Sequence, residues 1–172
     1  PKQLHQLIGS VGSCPHIFEG TIYTNLMMAK PDLTKEEGKE ILEFVKLHQF
    51  ADRLDHTVKS GGTNLSSGQK QKLAIARMLL KNPQVLLFDE ATANIDRQSE
   101  DDIFAIIHNI SRQGKTVIVI THQLHRLQKA DQVYLIDGGK VRERGTHEEL
   151  LASQAVYAEL FKEQQTMGRY LA

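Results

Sequence analysis

The stretch VLLFDEAT at residues 85–92 decides how this chain folds. Its apolar run followed by Asp89 and Glu90 predicts a buried parallel strand that delivers two carboxylates at its carboxyl end, where open α/β sheets bind ligands. The first carboxylate can hold Mg²⁺ through its water shell, and the second can orient and deprotonate an attacking water. The alternative is an ordinary strand followed by a helix whose first turn favours acids, and the pair by itself favours that alternative.

A second apolar run, VIVI at residues 117–120, ends in Thr121 and His122. A histidine at the end of such a strand can hydrogen-bond a terminal phosphate and help to place the water, while the alternative is a purely structural contact at a helix N-terminus. Asp96 follows the acid pair after a short turn. It is predicted to cap the helix over residues 97–110, to contact a neighbouring subunit, or to do both.

The sequence LSSGQ at residues 65–69 opens a helical pattern over residues 70–81, which Pro83 ends. Two hydroxyls and a glycine at a helix start predict an anion site, because backbone N–H groups point outward there and the helix dipole favours negative charge. The alternative is an ordinary serine cap, and this short motif alone does not decide between the two.

In order along the chain, LSSGQKQKLAIARMLLKNPQVLLFDEATANID at residues 65–96 resembles the signature motif, Walker B strand and D-loop of the ABC-transporter nucleotide-binding domain. The resemblance continues with Thr121-His122 as the switch-histidine loop. It extends backward to PHIFEGTIYTNL at residues 15–26 and forward to GTHEELL at residues 145–151. The implied fold class is α/β: part of a P-loop NTPase (RecA-like) fold, with a mostly parallel sheet, helices and an α-helical signature subdomain.

The resemblance implies a role for each of the side chains singled out above. Glu90 is the expected general base and His122 the expected sensor of the γ-phosphate. Asp89 is expected to reach Mg²⁺ through water, and Asp96 to communicate across a dimer near the nucleotide. The residues expected to contact ATP bound to the opposite subunit are Ser66, Ser67, Gly68 and Gln69.

Three positions depart from the family pattern. Ser13 occupies the place of the Q-loop glutamine, and its side chain is too short to link Mg²⁺ to the membrane-domain contact, so a metal role for Ser13 is doubtful. Ser67 stands where the family usually has glycine, and Ser60 stands where exporters commonly carry a glutamate. The two expected hydrolytic residues keep the family pattern.

A phosphate loop of the form G-x-x-x-x-G-K-[ST] is missing from the chain. Gly114-Lys115-Thr116 imitates its end, but Asn109 replaces the first glycine, and a helix precedes and a strand follows, which is the reverse of the required order. We interpret Gly114 as the C-cap glycine of a helix. The chain is therefore expected to start just before the Q-loop, with roughly a third of the domain upstream, and to be inactive by itself.

Composition narrows the function classes. Lys and Arg total 21, as do Asp and Glu, so the chain carries no net charge, and no nucleic-acid partner is expected. The single Cys14 cannot form an internal disulfide, which suits a reducing cytosol. No apolar stretch approaches the ~20 residues that span a bilayer, and no signal peptide is visible.

The pattern predicts three regions. Residues 1–19 form a strand and the Q-loop region, residues 20–83 a helical signature subdomain, and residues 84–172 the second half of the catalytic core. The predicted elements of these regions are a strand at residues 7–11, helices at residues 20–28 and 34–48, a strand at residues 116–120, a β-hairpin of residues 132–136 and 140–144, and a terminal helix after Thr146.

The leading hypothesis is a fragment of the ATPase domain of an ABC exporter, with ATP and Mg²⁺ as cofactors. Its expected partners are a second nucleotide-binding domain, identical or different, and a transmembrane domain. It would work at the cytoplasmic side of a membrane, the inner membrane in a bacterium. The alternatives are a soluble ABC-type ATPase acting on nucleic acid or ribosomes, and a non-catalytic interaction module. The segments FEGTIYTNL and GTHEELL favour the exporter, and the transported substrate stays open.

Overall fold

The computed structural model describes residues 7–170, with the side chains of residues 7–166. The chain divides into two compact units, one ending at Ile120 and the other beginning at Thr121. The first unit contains five strands and five α-helices among the described residues. They are β1 (Ile8–Gly12), β2 (Gly20–Thr21), α1 (Ile22–Met27), α2 (Lys35–Phe44), α3 (His48–Ala51), β3 (Thr57–Val58), α4 (Ser67–Leu80), β4 (Val85–Asp89), α5 (Arg97–Arg112) and β5 (Thr116–Ile120).

A parallel sheet in the order β1-β4-β5 forms the centre of the first unit. Its register pairs Gly12 with Asp89 and Asp89 with Ile120, so the three strands end side by side. The α/β class and the parallel pairing predicted from the apolar runs are confirmed. Because parallel strands deliver their following residues to one edge, the sheet creates the place where ligands of such folds bind.

The two faces of this sheet differ. Leu86 and Phe88 lie in the main core, while α4 packs against β1 and α5 against β5. On the opposite face, Ile118 and Ile120 stay about half exposed, at 48% and 47%. Because side chains alternate along a β-strand, one face of the sheet carries buried apolar residues, and the other carries apolar residues that no described residue fully covers.

The helical segment before α4 is more broken than the sequence predicts. The expected helix over residues 34–48 ends at Phe44, because Lys46 takes a left-handed backbone conformation with φ of 57°, and α3 starts separately. The spacing of Thr34 and Glu37 predicts a capping box at the start of α2, and reciprocal hydrogen bonds between the two residues confirm it. The predicted helix over residues 20–28 loses its first residues to β2, which pairs with β3.

The helices that flank the sheet begin and end close to their predicted bounds. α4 starts three residues before the predicted position, at Ser67, and α5 runs two residues past the predicted end. Gly114 has a φ of 82° directly after α5, as expected for a glycine that ends a helix. The ammonium of Lys115 donates to Asn82 Oδ1 and to the Pro83 carbonyl, at the amino ends of β4 and β5. Gly114-Lys115-Thr116, which resembles the end of a phosphate loop, therefore forms a turn from a helix to a strand.

The second unit consists of a 3₁₀ segment (Leu124–Lys129), a hairpin of β6 (Val133–Asp137) and β7 (Lys140–Gly145), and two helices, α6 (His147–Ala152) and α7 (Val156–Tyr170). The sequence Asp137-Gly138-Gly139 predicts a tight turn between the two strands, and Gly138 and Gly139 both have positive φ. A small core of Leu124, Val133, Leu150, Tyr157 and Phe161 holds the unit together. Within the described residues, none of the helices combines the length and the apolar character needed to cross a membrane.

A buried asparagine fixes the loop that follows β1. The side-chain oxygen of Asn25 accepts from the Phe18 backbone N–H at 3.0 Å, and its amide donates to the carbonyls of Phe18 and Thr21, each at 2.9 Å. Asn25 has no solvent exposure. One side chain on α1 thus satisfies both backbone groups of Phe18 in the loop and the carbonyl of Thr21 in β2.

Replacing Asn25 with leucine keeps the volume but removes all three hydrogen bonds. We expect Asn25→Leu to lower the free energy of unfolding by about 3 kcal/mol, because buried backbone groups lose their partners. The measurement is chemical denaturation followed by circular dichroism.

A matched control is Asn64→Leu. Asn64 makes comparable bonds with the Lys59 N–H and the Thr57 carbonyl but is exposed, so water can replace it. We expect Asn64→Leu to lower the free energy of unfolding by less than about 1 kcal/mol. Equal losses in the two variants would contradict the assignment of Asn25 as a buried anchor.

Candidate functional site

The carboxyl edge of the parallel sheet collects the predicted acidic residues. Asp89 is the last residue of β4, is exposed, and is registered with Gly12 on one side and Ile120 on the other. Ser13 follows Gly12 directly and is exposed as well. The structure therefore brings Asp89 to the same sheet edge as the end of β1, as parallel pairing predicts.

Glu90 is held in an uncommon backbone conformation. Its φ is 49°, in the left-handed region that residues other than glycine seldom adopt. Its N–H donates to the Ile120 carbonyl at 3.0 Å, and its own carbonyl accepts from the Ala93 N–H at 3.0 Å. These bonds turn the chain sharply after β4. A conformation that costs free energy and is held by its neighbours is a feature that clusters at functional sites.

His122 lies two residues beyond the end of β5 and belongs to the second unit. His122 is an exposed residue, and its carbonyl accepts from Gln164 Nε2 at 2.5 Å. Next to it, the Thr121 hydroxyl accepts from the Gln123 N–H at 3.0 Å. The backbone of His122 is thus anchored to α7. A joint role of His122 and Glu90 in ATP hydrolysis stays a prediction.

The start of α4 carries a complete capping box. The Ser66 hydroxyl accepts from the Gln69 N–H at 3.1 Å, and the Gln69 side chain accepts from the Ser66 N–H at 2.8 Å. The ordinary capping role considered for Ser66 is therefore real. Ser66 and Ser67 both stay exposed at the helix N-terminus, where the first N–H groups have no partner within the helix.

Gly68 is buried where α4 meets the start of α5. A Cβ atom there would lie 2.0 Å from Ser99 Oγ and 2.4 Å from Ser99 Cβ. Glycine at this position is thus required by packing between two helices of the same chain, a reason that the sequence did not reveal.

Asp96 caps α5, as one of its predicted roles requires. Its carboxylate accepts from the Ser99 N–H at 2.9 Å. Hydrogen bonds from the Ser99 hydroxyl and backbone hold the pKa of Asp96 below its ordinary value. Asp96 is exposed. The N-terminal turns of α4 and α5 therefore lie together, with Gly68 and Ser99 in contact and an ionised acid beside them.

Comparison with known proteins decides the family. The ABC transporter family model matches residues 1–93, which is more than half of the 172-residue chain. The chain belongs to the ABC transporter family. The matched residues include Ser66 to Gln69 and the pair Asp89 and Glu90, while Asp96 and His122 lie beyond them.

Individual relatives and a solved structure agree with this membership. The chain is 42% identical over 166 residues to an uncharacterized ABC transporter ATP-binding protein of Haemophilus influenzae, covering 95% of this chain and 30% of that protein. It is 38% identical over 165 residues to P-glycoprotein 14 of Caenorhabditis elegans, covering 94% of this chain and 12% of that protein. A bacterial Atm1-family ABC exporter with ATP bound matches with a TM-score of 0.85 and 32% identity, over 95% of this chain and 29% of the exporter chain. The chain thus spans less than a third of these ABC transporters, and its fold is that of part of their ATPase domain, a P-loop NTPase.

Two side chains on α4 hold the segment around the end of β1, a role that the sequence did not reveal. Gln71, only 1% exposed, donates to the Gly12 carbonyl at 2.8 Å, directly before Ser13. Arg77 donates to the His16 carbonyl at 2.6 Å, with its guanidinium 5.1 Å from the centre of the Phe18 ring. The available signal was periodicity, because Gln71 lies four residues before the buried Ile75 on the same helical stripe.

The acidic edge suits a weakly held Mg²⁺. The described residues contain no group of three or more His, Cys, Asp or Glu side chains able to bind a metal together. Asp89 is nevertheless an exposed oxygen donor at the sheet edge, and Mg²⁺ usually keeps several waters and takes only one or two protein carboxylates. These residues fit a contact made through water better than a site made of protein ligands alone.

The contact between Gly68 and Ser99 leads to a stability prediction. We expect Gly68→Ala to lower the free energy of unfolding by about 2 kcal/mol, because the added methyl group overlaps Ser99. Thermal unfolding measures the loss, and Gly68→Ala should cost much less stability when it is introduced into a Ser99→Gly variant than into the wild-type chain.

Gly12→Ala is the matched control, since the nearest atom to a Cβ at Gly12 is 3.9 Å away and its φ is not positive. It should unfold close to the wild-type temperature. If Gly68→Ala cost as much in the Ser99→Gly background as in the wild-type chain, the close approach to Ser99 would not be the cause.

Proposed function

We propose that this chain supplies the hydrolytic acids and the signature start of an ABC exporter ATPase. The observation that carries the proposal is the pair Asp89 and Glu90 at the carboxyl end of β4, with Glu90 held at a φ of 49°. The membership in the ABC transporter family and the likeness to an exporter structure support it. The reaction is hydrolysis of ATP to ADP and phosphate, coupled to transport across a membrane.

In the proposed reaction, Glu90 accepts a proton from water as the water oxygen forms a bond to the γ-phosphorus. The bond from phosphorus to the β–γ bridging oxygen breaks, and ADP leaves with that electron pair. His122 donates a hydrogen bond to the γ-phosphate and helps to orient the water. Asp89 would hold Mg²⁺ through water, and the ion would supply positive charge that offsets the charge of the phosphates. The Ser13 hydroxyl, at the Q-loop position, is too short to replace a glutamine, so no metal role is proposed for it.

The signature start has a separate proposed role. Ser66 and Ser67 are exposed at the N-terminus of α4. First-turn N–H groups and the positive end of the helix dipole lie there, and both favour binding of a phosphate. Together with Gly68 and Gln69 they would contact ATP held by a second nucleotide-binding domain, identical or different. Asp96, exposed beside them, would respond to that contact.

The proposed partners and location follow from this reaction. A transmembrane domain would contact the segment after β1, which Asn25, Gln71 and Arg77 hold in place. The ATPase part would lie on the cytoplasmic side of the membrane. Nucleic acid is not a proposed partner, since the balance of 21 basic and 21 acidic residues offers no net positive charge.

The first test replaces the proposed base in the transporter that contains this chain together with a phosphate loop. Glu90→Gln should lower phosphate release at least about 100-fold, because general-base catalysis typically contributes that much or more. ATP should still bind, since the amide keeps the shape of the side chain, and filter retention of labelled ATP measures this.

Glu40→Gln on the exposed side of α2 is the control and should hydrolyse ATP normally. Normal turnover in Glu90→Gln would refute the proposed function.

The second test addresses the proposed γ-phosphate sensor. His122→Ala should reduce kcat by about 100-fold, since a hydrogen-bond donor to the reacting phosphate is lost. His125→Ala, three residues further along in the 3₁₀ segment, is the control. Steady-state phosphate release measures both, and an equal effect of the two changes would remove His122 from the proposed mechanism.

A further inference from the structure

α4 and α5 begin side by side and run in the same direction. Gly68 meets Ser99 in their first turns, and one turn later Lys72 Nζ lies 2.6 Å from Asp102 Oδ2. Each helix therefore contributes two residues, three or four positions apart, to one continuous line of contact.

The Asp102 carboxylate joins a third element as well. Its Oδ1 accepts from Lys46 Nζ at 3.0 Å and from Gln98 Nε2 at 3.3 Å. Lys46 follows α2 at the point where the left-handed backbone ends that helix. We call Lys46, Lys72 and Asp102 the carboxylate hub. It connects the helical segment, the signature helix and the helix capped by Asp96.

The hub is largely shielded from solvent. The exposed fraction of the side chain is 9% for Lys72, 16% for Asp102 and 36% for Lys46. Burial would raise the pKa of Asp102, but the hydrogen bonds and charges of Lys72 and Lys46 outweigh this effect and keep the pKa below its ordinary value. Asp102 is thus ionised near neutral pH. Removing one partner of such a group leaves a poorly solvated charge on the other.

We propose that Asp102 is a positioning residue that sets the signature start, Ser66 to Gln69, at a fixed place relative to Asp96. The inference rests on the proposed function, because these are the residues that would contact ATP across the pair of domains. The hub acts one turn behind that start, through Lys72 on α4 and through the backbone of α5. A residue that serves only overall stability would change the amount of folded protein and leave the affinity of the folded fraction unchanged.

The test uses Asp102→Asn in the full transporter. The ATP concentration at half-maximal hydrolysis should rise on the order of fivefold, while kcat changes by less than about twofold. The physical reason is that a displaced signature start weakens the hold on the nucleotide but leaves the hydrolytic acids in place. An unchanged KM would overturn the proposal.

Asp52→Asn is the matched control. Asp52 pairs with Lys39 at 2.5 Å, but both side chains are highly exposed, at 81% and 51%, so losing this pair should change neither KM nor kcat. If Asp52→Asn raised KM as much as Asp102→Asn, the loss of any one negative charge would explain the effect, and the hub would not be responsible.

A second readout needs no nucleotide. Hydrogen exchange of residues 65–72 should become faster in Asp102→Asn and stay unchanged in Asp52→Asn, because the first turns of α4 lose their anchor. This measurement distinguishes two failures. Normal hydrolysis by Glu90→Gln would refute the proposed function, whereas unchanged exchange in Asp102→Asn would refute the role of the hub.

Lys46→Gln is the second variant, to be used if Asp102→Asn does not fold, because it leaves the Lys72–Asp102 pair intact. It should shift KM and exchange in the same direction by a smaller amount, and no shift in either would equally overturn the proposal.

Discussion

The register of the parallel sheet is the constraint on which the candidate site depends. Because Gly12, Asp89 and Ile120 are hydrogen-bonded neighbours, the residues after three strands leave the sheet at one edge. A slip of one residue would move the Leu86 and Phe88 side chains out of the core and Asp89 onto the opposite face. Burial of these apolar side chains therefore fixes the position of the acidic pair, so the stability of the core and the placement of the site have one cause.

Local polar contacts at the signature start have more than one use. Ser66 and Gln69 satisfy each other's backbone N–H groups, and Gly68 allows the close approach of Ser99. A capping serine and a phosphate-binding serine are not exclusive alternatives. The capping box uses the N–H groups of Ser66 and Gln69, while those of Ser67 and Gly68 belong to the first turn and have no partner within the helix. The structure thus supports the ordinary interpretation of this motif without weakening the functional one.

The sequence predicts what short-range physics decides. The apolar runs locate β4 and β5, and the threonine capping boxes locate the starts of α2 and α6, because each signal lies within a few residues of the element it marks. It misses the end of α2 at Phe44, because the left-handed residue that follows is Lys46 and not a glycine. It also misses the anchors Gln71 and Asp102, whose partners lie 59 and 30 residues away in the chain. Partners that distant are chosen by tertiary packing, which a local pattern does not contain.

The difference between the ion pairs explains why the Asp102 hub can define geometry. At the surface, water competes for both charges of Lys39 and Asp52, and such pairs contribute little and hold no particular distance. At Asp102, little water is present to compensate a displaced lysine, so the contact is costly to break in any direction. The same shielding makes the hub a poor source of net stability, since desolvation offsets most of the attraction. A pair of this kind specifies where helices lie more than it stabilises the fold, and here the helices in question are the two whose first turns present Ser66 and Asp96.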